Sequence, residues 1–245
     1  MVLKGILYST IAGMATSLGA LPFLFLKPHH TSDKVIDSFL GFAAGVMLAA
    51  SAFSLVAPSL EMGGIVRFLI GFVLGGLFVN LADKLIPHEH LLKGHEGPDT
   101  KRLKGVWLFI IAITIHNFPE GMAVGVSAFT PQALAIAIAI GVQNIPEGAA
   151  VMASLIPMKY KKGKAFLITF LTGLVEAIGG LLGAGIVSIS QRLLPYMMAF
   201  AAGAMIYVVS DEVIPETHSK GNELLSTWWI MVGFLVMASL DVALG

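Results

Sequence analysis

Residues 108–129 read LFIIAITIHNFPEGMAVGVSAF, an apolar run interrupted within five positions by His116, Asn117, Pro119 and Glu120. Its 22 residues meet the roughly 20 that an α-helix needs to cross about 30 Å of hydrocarbon. Polar and ionisable groups at the centre of such a segment are costly to hold there and mark function by default. The run therefore predicts a membrane-spanning helix with a purpose at its middle.

The rest of the chain reads the same way. Of 245 residues, 56% are hydrophobic and 12% charged, against about 25% charged in soluble domains. Apolar stretches fall at Leu3–Leu26, Ser38–Leu60, Gly64–Ile86, Val106–Phe129, Pro131–Leu155, Ala165–Ser188, Pro195–Ile214 and Ser226–Leu240. The expected fold is an all-α integral membrane protein of eight transmembrane helices, with residues 1–245 as one domain. The first stretch is long for a signal-peptide core, and PHHTSDK after it is not a small-residue cleavage site, so it reads as a helix. The longest polar stretch, about 87–105, contains HEHLLKGHEG. It can hold a divalent ion loosely, or be an ordinary solvated loop, because its spacing matches no closed metal site. No cysteine is present, which removes thiolate ligands.

If eight spans alternate, Lys4, Arg67 and Arg192 fall on one side and the other 12 of the 15 Lys and Arg residues on the opposite side. The positive-inside rule then places both termini outside the cytoplasm. His116 is the one histidine expected within the membrane. A lipid bilayer is the expected surroundings, and no nucleic-acid partner is expected.

The opening motif has an echo. HNFPEGMAV from His116 recurs as QNIPEGAAV from Gln143, on the next span, so the two copies run in opposite directions, as around the midplane sites of many carriers. FAAGVM from Phe42 likewise recurs as FAAGAM from Phe200. This parity suggests a 3+2+3 arrangement, with spans one to three and six to eight as inverted repeats flanking spans four and five, which would form the metal site.

His116, Asn117 and Glu120 share one helical face, as do Gln143, Asn144 and Glu147, through spacings of three and four. Glu176 adds a third acid in TGLVEAIGG of span six. Three central glutamates cost roughly 7 to 10 kcal/mol by insertion scales. No Lys or Arg lies in the central part of any span to neutralise them, so a cation or protons must. Pro119 and Pro146 lack an amide hydrogen and free the carbonyls of Ile115 and Val142. Imidazole with carboxylate and amide oxygens suits zinc, iron, cobalt, manganese and cadmium, whereas a magnesium cage would not use His116. The ion is cargo; no resident cofactor is expected. SDEVIPETH from Ser210 gathers Asp211, Glu212, Glu216 and His218, as an exit vestibule or a hydrated helix end. Met47 and Ser51 are weaker candidates, since Met is more often core filler. GFVLGG from Gly71 suits a homodimer seam or packing within the chain.

HNFPEG, QNIPEG, the central Glu176 and DEVIPETH together resemble the Zrt/Irt-like (ZIP) family of divalent metal transporters, in its prokaryotic GufA-like branch, over essentially the whole chain. The resemblance implies uptake of zinc and related ions across a prokaryotic inner (plasma) membrane by alternating access, and dimerisation. It implies a primary site of His116, Glu120, Gln143 and Glu147, and a second of Asn117, Asn144 and Glu176 bridged by Glu120 and Glu147. Asp37, Asp211 and Glu212 would belong to the release route. Some relatives have Asp in place of Asn144 and His in place of Asp211, so the second site here carries one negative charge fewer and the exit is richer in oxygen. An intramembrane zinc hydrolase and an exporter are the rival readings. The chain has no H-E-x-x-H, and its symmetric glutamates lack distinct ligand and base roles.

Overall fold

The computed structural model describes residues 1–25, 32–90, 94–96, 105–156 and 160–244. Helix α1 spans Val2–Phe25 and α2 spans Asp33–Ala49; a π-helical segment, Ala50–Val56, leads directly into α3, Ala57–Leu85. Two short antiparallel strands, β1 (His88–His90) and β2 (Gly94–Glu96), pair His88 with Glu96. The rest of the histidine-containing stretch 87–105 lies mostly outside the described residues, as do His29 and His30. Then follow α4 (Gly105–Ser127), α5 (Ala133–Leu155), α6 (Lys162–Ile189), a 3-10 turn (Gln191–Leu193) and α7 (Leu194–Val208). A second π segment, Val209–Val213, joins α7 to the short α8 (Ile214–Thr217), and α9 spans Glu223–Leu244. Helices dominate because hydrocarbon offers no partner for an open amide or carbonyl.

The expectation of eight separate spans is corrected. Among the described residues, six helical stretches are long and apolar enough to cross a membrane: Val2–Phe25, Asp33–Leu85, Ala133–Ala153, Lys162–Ile189, Gln191–Thr217 and Glu223–Leu244. The expected second and third spans are one 53-residue stretch. No loop ends it at LEMGGIV; only Gly64, at φ 68° and ψ 173°, breaks the helical geometry. That conformation is essentially reserved for glycine. The fourth expected span, α4, is not among the six. Side chains of its residues 105–110, 112 and 113 lie outside the description.

The 3+2+3 grouping is corrected as well. One set of helices, α1, α4, α5 and α6, packs mainly within itself; the other, α2, α3, α7 and α9, does likewise. The two sets meet along α2 with α5 and α4 with α7. Small residues decide these seams. A Cβ on Gly13 would collide with the carbonyl of Gly173, and one on Gly173 with that of Gly13, so α1 and α6 touch backbone to backbone. Gly45 and Gly233 do the same for α2 and α9, and Gly75 and Gly203 for α3 and α7. Gly71 and Gly75 of GFVLGG thus serve packing within the chain. Met47 joins Met198 and Met205 in the buried apolar core between α2 and α7.

One end of the bundle is stitched by polar contacts. Lys162 donates to the Leu24 carbonyl at 3.3 Å, Lys220 to Asp33 at 3.2 Å and Asn222 to Asp37 at 2.8 Å. The end of α1 is thus tied to the start of α6, and the start of α2 to the segment that leads into α9.

Candidate metal centre

Helices α4 and α5 remain α-helical through Pro119 and Pro146. Their polar faces turn inward against α6: Asn117, Gln143, Asn144 and Glu176 are fully buried, Glu120 nearly so, and Glu147 is 9% exposed. Close approach makes this possible. A Cβ on Gly121 would strike the backbone of Glu176, and one on Gly148 the carbonyl of Thr16.

Hydrogen bonds fix which atoms face the interior. Asn117 donates its Nδ2 to the Thr172 carbonyl at 3.0 Å, Gln143 its Nε2 to Glu120 at 2.7 Å, and Asn144 its Nδ2 to Glu176 at 2.6 Å and to the Ala12 carbonyl at 2.8 Å. Each amide nitrogen is thus held by an acceptor, which leaves its oxygen pointing elsewhere. Asn117 Oδ1, Glu120 Oε2, Gln143 Oε1, Asn144 Oδ1, Glu147 Oε1 and Glu176 Oε2 are all buried with no hydrogen-bond partner among the described residues. Every one of these six atoms is an acceptor. None of the three glutamates forms an ion pair with Lys or Arg among those residues. Glu120 lies within electrostatic reach of both Glu147 and Glu176, and Glu147 of His116.

His116 reaches across to the second set of helices. Its Nε2 is hydrogen-bonded to Glu212 of the second π segment, and Asp83 and Glu147 also act on it electrostatically. Here the structure overturns the expectation that the fourth and fifth spans form the metal site. The residues whose carboxylates gather as ligands are Asp83, Asp211 and Glu212, with one oxygen of each within 4.8 Å of the others. They come from the last turn of α3 and from Val209–Val213, not from α4 or α5. The physical reason is depth: Asp83 lies in the last turn of its span and Asp211 is half-buried, and carboxylates converge at lower cost near the end of a span than at its apolar centre.

The release-route candidates separate. Asp211 and Glu212 enter the carboxylate group, whereas Asp37 is buried beside Asn222, within electrostatic reach of Glu216. His218 is occupied with ending its helix: Nδ1 lies 2.8 Å from the Ile214 carbonyl and 3.0 Å from Thr217, and Nε2 lies 3.2 Å from Thr227. Ser51 is fully buried, with its hydroxyl unpartnered among the described residues. Asp83 was not singled out by the sequence reading. The signal for it was an acid inside the last turn of an apolar span, in NLADKL.

Comparison with known proteins agrees with this donor chemistry. The sequence model of the family described as ZIP Zinc transporter matches residues 3–102 and 87–241. Zinc transporter GufA of Myxococcus xanthus is 42% identical over 98% of this chain and 99% of its own length. Zinc transporter ZIPB of Bordetella bronchiseptica is 44% identical over 97% of this chain and 82% of its own. Zinc transporter ZupT of Chlorobium phaeovibrioides is 37% identical over 95% of each chain. With a match across nearly its whole length and identities of this size, the chain belongs to the ZIP zinc transporter family, in its GufA/ZupT-like branch.

Proposed function

We propose that this protein passes divalent transition-metal ions, zinc foremost, through the plasma membrane toward the cytoplasm. The observation that carries the reading is the set of six buried acceptor oxygens on α4, α5 and α6, unpartnered among the described residues and without a basic neighbour. Buried acceptors without donors require a cation or protons. In this reading Glu120, Gln143, Asn117, Asn144, Glu147 and Glu176 line the conduit and lend oxygen ligands in passing. His116 hands the ion on to Asp83, Asp211 and Glu212, and Asp37 with Glu216 stands beyond them on the way out. Mixed oxygen and imidazole donors hold zinc, manganese, iron, cobalt or cadmium firmly enough to enter and loosely enough to leave.

Two further elements belong to this proposal. The cytoplasmic face is the end where Lys162 and Lys220 tie the helices together, following the positive-inside rule, so both termini lie outside. Access alternates by motion of the set α1, α4, α5 and α6 against the set α2, α3, α7 and α9, whose mutual contacts are sparser than those within each set.

The test is zinc entry into sealed proteoliposomes containing an indicator dye, for the intact protein, Glu147→Ala and His116→Ala. Both variants should slow entry by at least about tenfold, since losing even a supporting contact around a metal costs that much. Equal flux in all three proteins would move the path elsewhere. Reversing the imposed zinc gradient in the same vesicles separates uptake from export.

A further inference from the structure

In α1, hydroxyls that can reach the helix backbone bond to it. Ser9 and Thr10 donate to the Ile6 carbonyl at 3.1 and 2.6 Å, and Ser17 donates to the Met14 carbonyl at 2.7 Å. This is the usual fate of Ser and Thr in a helix interior. Thr16 differs. Its residue is fully buried and its Oγ1 has no hydrogen-bond partner among the described residues.

The neighbours explain why. The acceptor four residues back is the Ala12 carbonyl, which already receives the helical amide of Thr16 and, at 2.8 Å, the side-chain Nδ2 of Asn144. Both its lone pairs are then in use. The acceptor three residues back, the Gly13 carbonyl, is pressed against Gly173, where a Cβ would collide with it. The hydroxyl is left at the junction of α1, α5 and α6. A Cβ on Gly173, one turn before Glu176, would sit 2.8 Å from it, and Gly148, next to Glu147, packs on the backbone of Thr16 itself. Asn144 thus reaches Glu176 with one bond and takes the acceptor that Thr16 would use with the other.

We infer that Thr16 is a positioning residue of the conduit: its hydroxyl bonds the water shell of the passing cation and thereby holds the ion against Glu176 and Asn144. This rests on the transport reading above. A hydroxyl suits the task because it donates and accepts, and so can face a metal-bound water and a free carboxylate oxygen in turn.

The experiment compares the intact protein with Thr16→Val, Thr16→Ser and Thr10→Val. Zinc entry into proteoliposomes gives KM and kcat, and titration of the detergent-solubilised protein with zinc alone gives Kd. Thr16→Val, nearly isosteric, should raise KM and Kd roughly three- to ten-fold, the range of one hydrogen bond, with kcat little changed. Thr16→Ser should restore both constants, and Thr10→Val should match the intact protein. Unchanged constants in Thr16→Val would overturn the inference, and so would a Ser variant as impaired as Val, which would mean packing. An intact protein that binds zinc but passes none would sink the transport reading while the Kd values still decided the role of Thr16. An intact protein that neither binds nor passes zinc would overturn both.

Discussion

Asn144 shows how much one side chain decides here. Its amide nitrogen supplies two hydrogen bonds, to Glu176 and to the Ala12 carbonyl, and so holds α1, α5 and α6 in register while its oxygen stays free. Asn144→Asp removes both donors and sets a second carboxylate against Glu176. Without metal that variant should lose about 2 to 4 kcal/mol, the scale of stranding buried polar groups and of uncompensated buried charge. Zinc should return the loss, because the added charge is then paired. Thermal unfolding with and without zinc checks this: the zinc-induced rise in Tm should be larger for Asn144→Asp than for the intact protein. Asp83→Asn and Asp211→Asn act differently, since those groups sit at the end of the proposed path. Each should slow zinc entry, and Asp211→Asn, at the half-buried member of the group, should leave stability within about 1 kcal/mol.

At the scale of elements, seams are set by glycine and breaks by backbone geometry. Gly121→Ala should push α4 from α6, because the new methyl group meets the carbonyl of Glu176; over-packing of this kind costs about 1 to 3 kcal/mol. Zinc entry should fall with it, since Glu176 moves. Gly185→Ala, in the same helix α6 but with open space around it, should leave both flux and Tm unchanged and serves as the control. Gly64→Ala isolates strain from crowding: nothing lies near a Cβ there, yet φ 68° with ψ 173° should cost about 1 to 3 kcal/mol. The two π segments follow FAAGVM and FAAGAM at matching places, and they carry Ser51 in one case and Asp211 with Glu212 in the other. Such segments aim side chains that a regular helix would turn aside, and they concentrate at functional sites.

For the molecule as a whole, the proposed conduit is a chain of carboxylates and one imidazole, and each must be free of its proton to bind metal. Protons and zinc therefore compete. Zinc entry at a fixed gradient should fall as both faces are taken from about pH 8 to about pH 5; a flat profile would contradict a carboxylate-lined path. The two four-helix sets should also behave as bodies. A crosslink between α2 and α5 should arrest flux, whereas one between α2 and α9, within a set, should not.

Much of this was legible in the residues themselves. The spacing of His116, Asn117 and Glu120, and of Gln143, Asn144 and Glu147, put each trio on one helical face, because 3.6 residues per turn admits nothing else. Composition alone required a membrane, and the absence of a central Lys or Arg required a cation or protons. The helix count was not legible, since in hydrocarbon a helix continues through LEMGGIV without any polar loop and only the backbone of Gly64 reveals the break. Nor was the carboxylate group. Asp83 and Asp211 stand far apart in sequence, and they meet because Gly75 and Gly203 let α3 and α7 pack backbone to backbone. The sequence by itself determined which chemistry the protein carries, since side-chain identity and helical period are local. Where the carboxylates converge, and which atoms are left free, only the tertiary structure decided, because both depend on how closely helices distant in sequence approach one another.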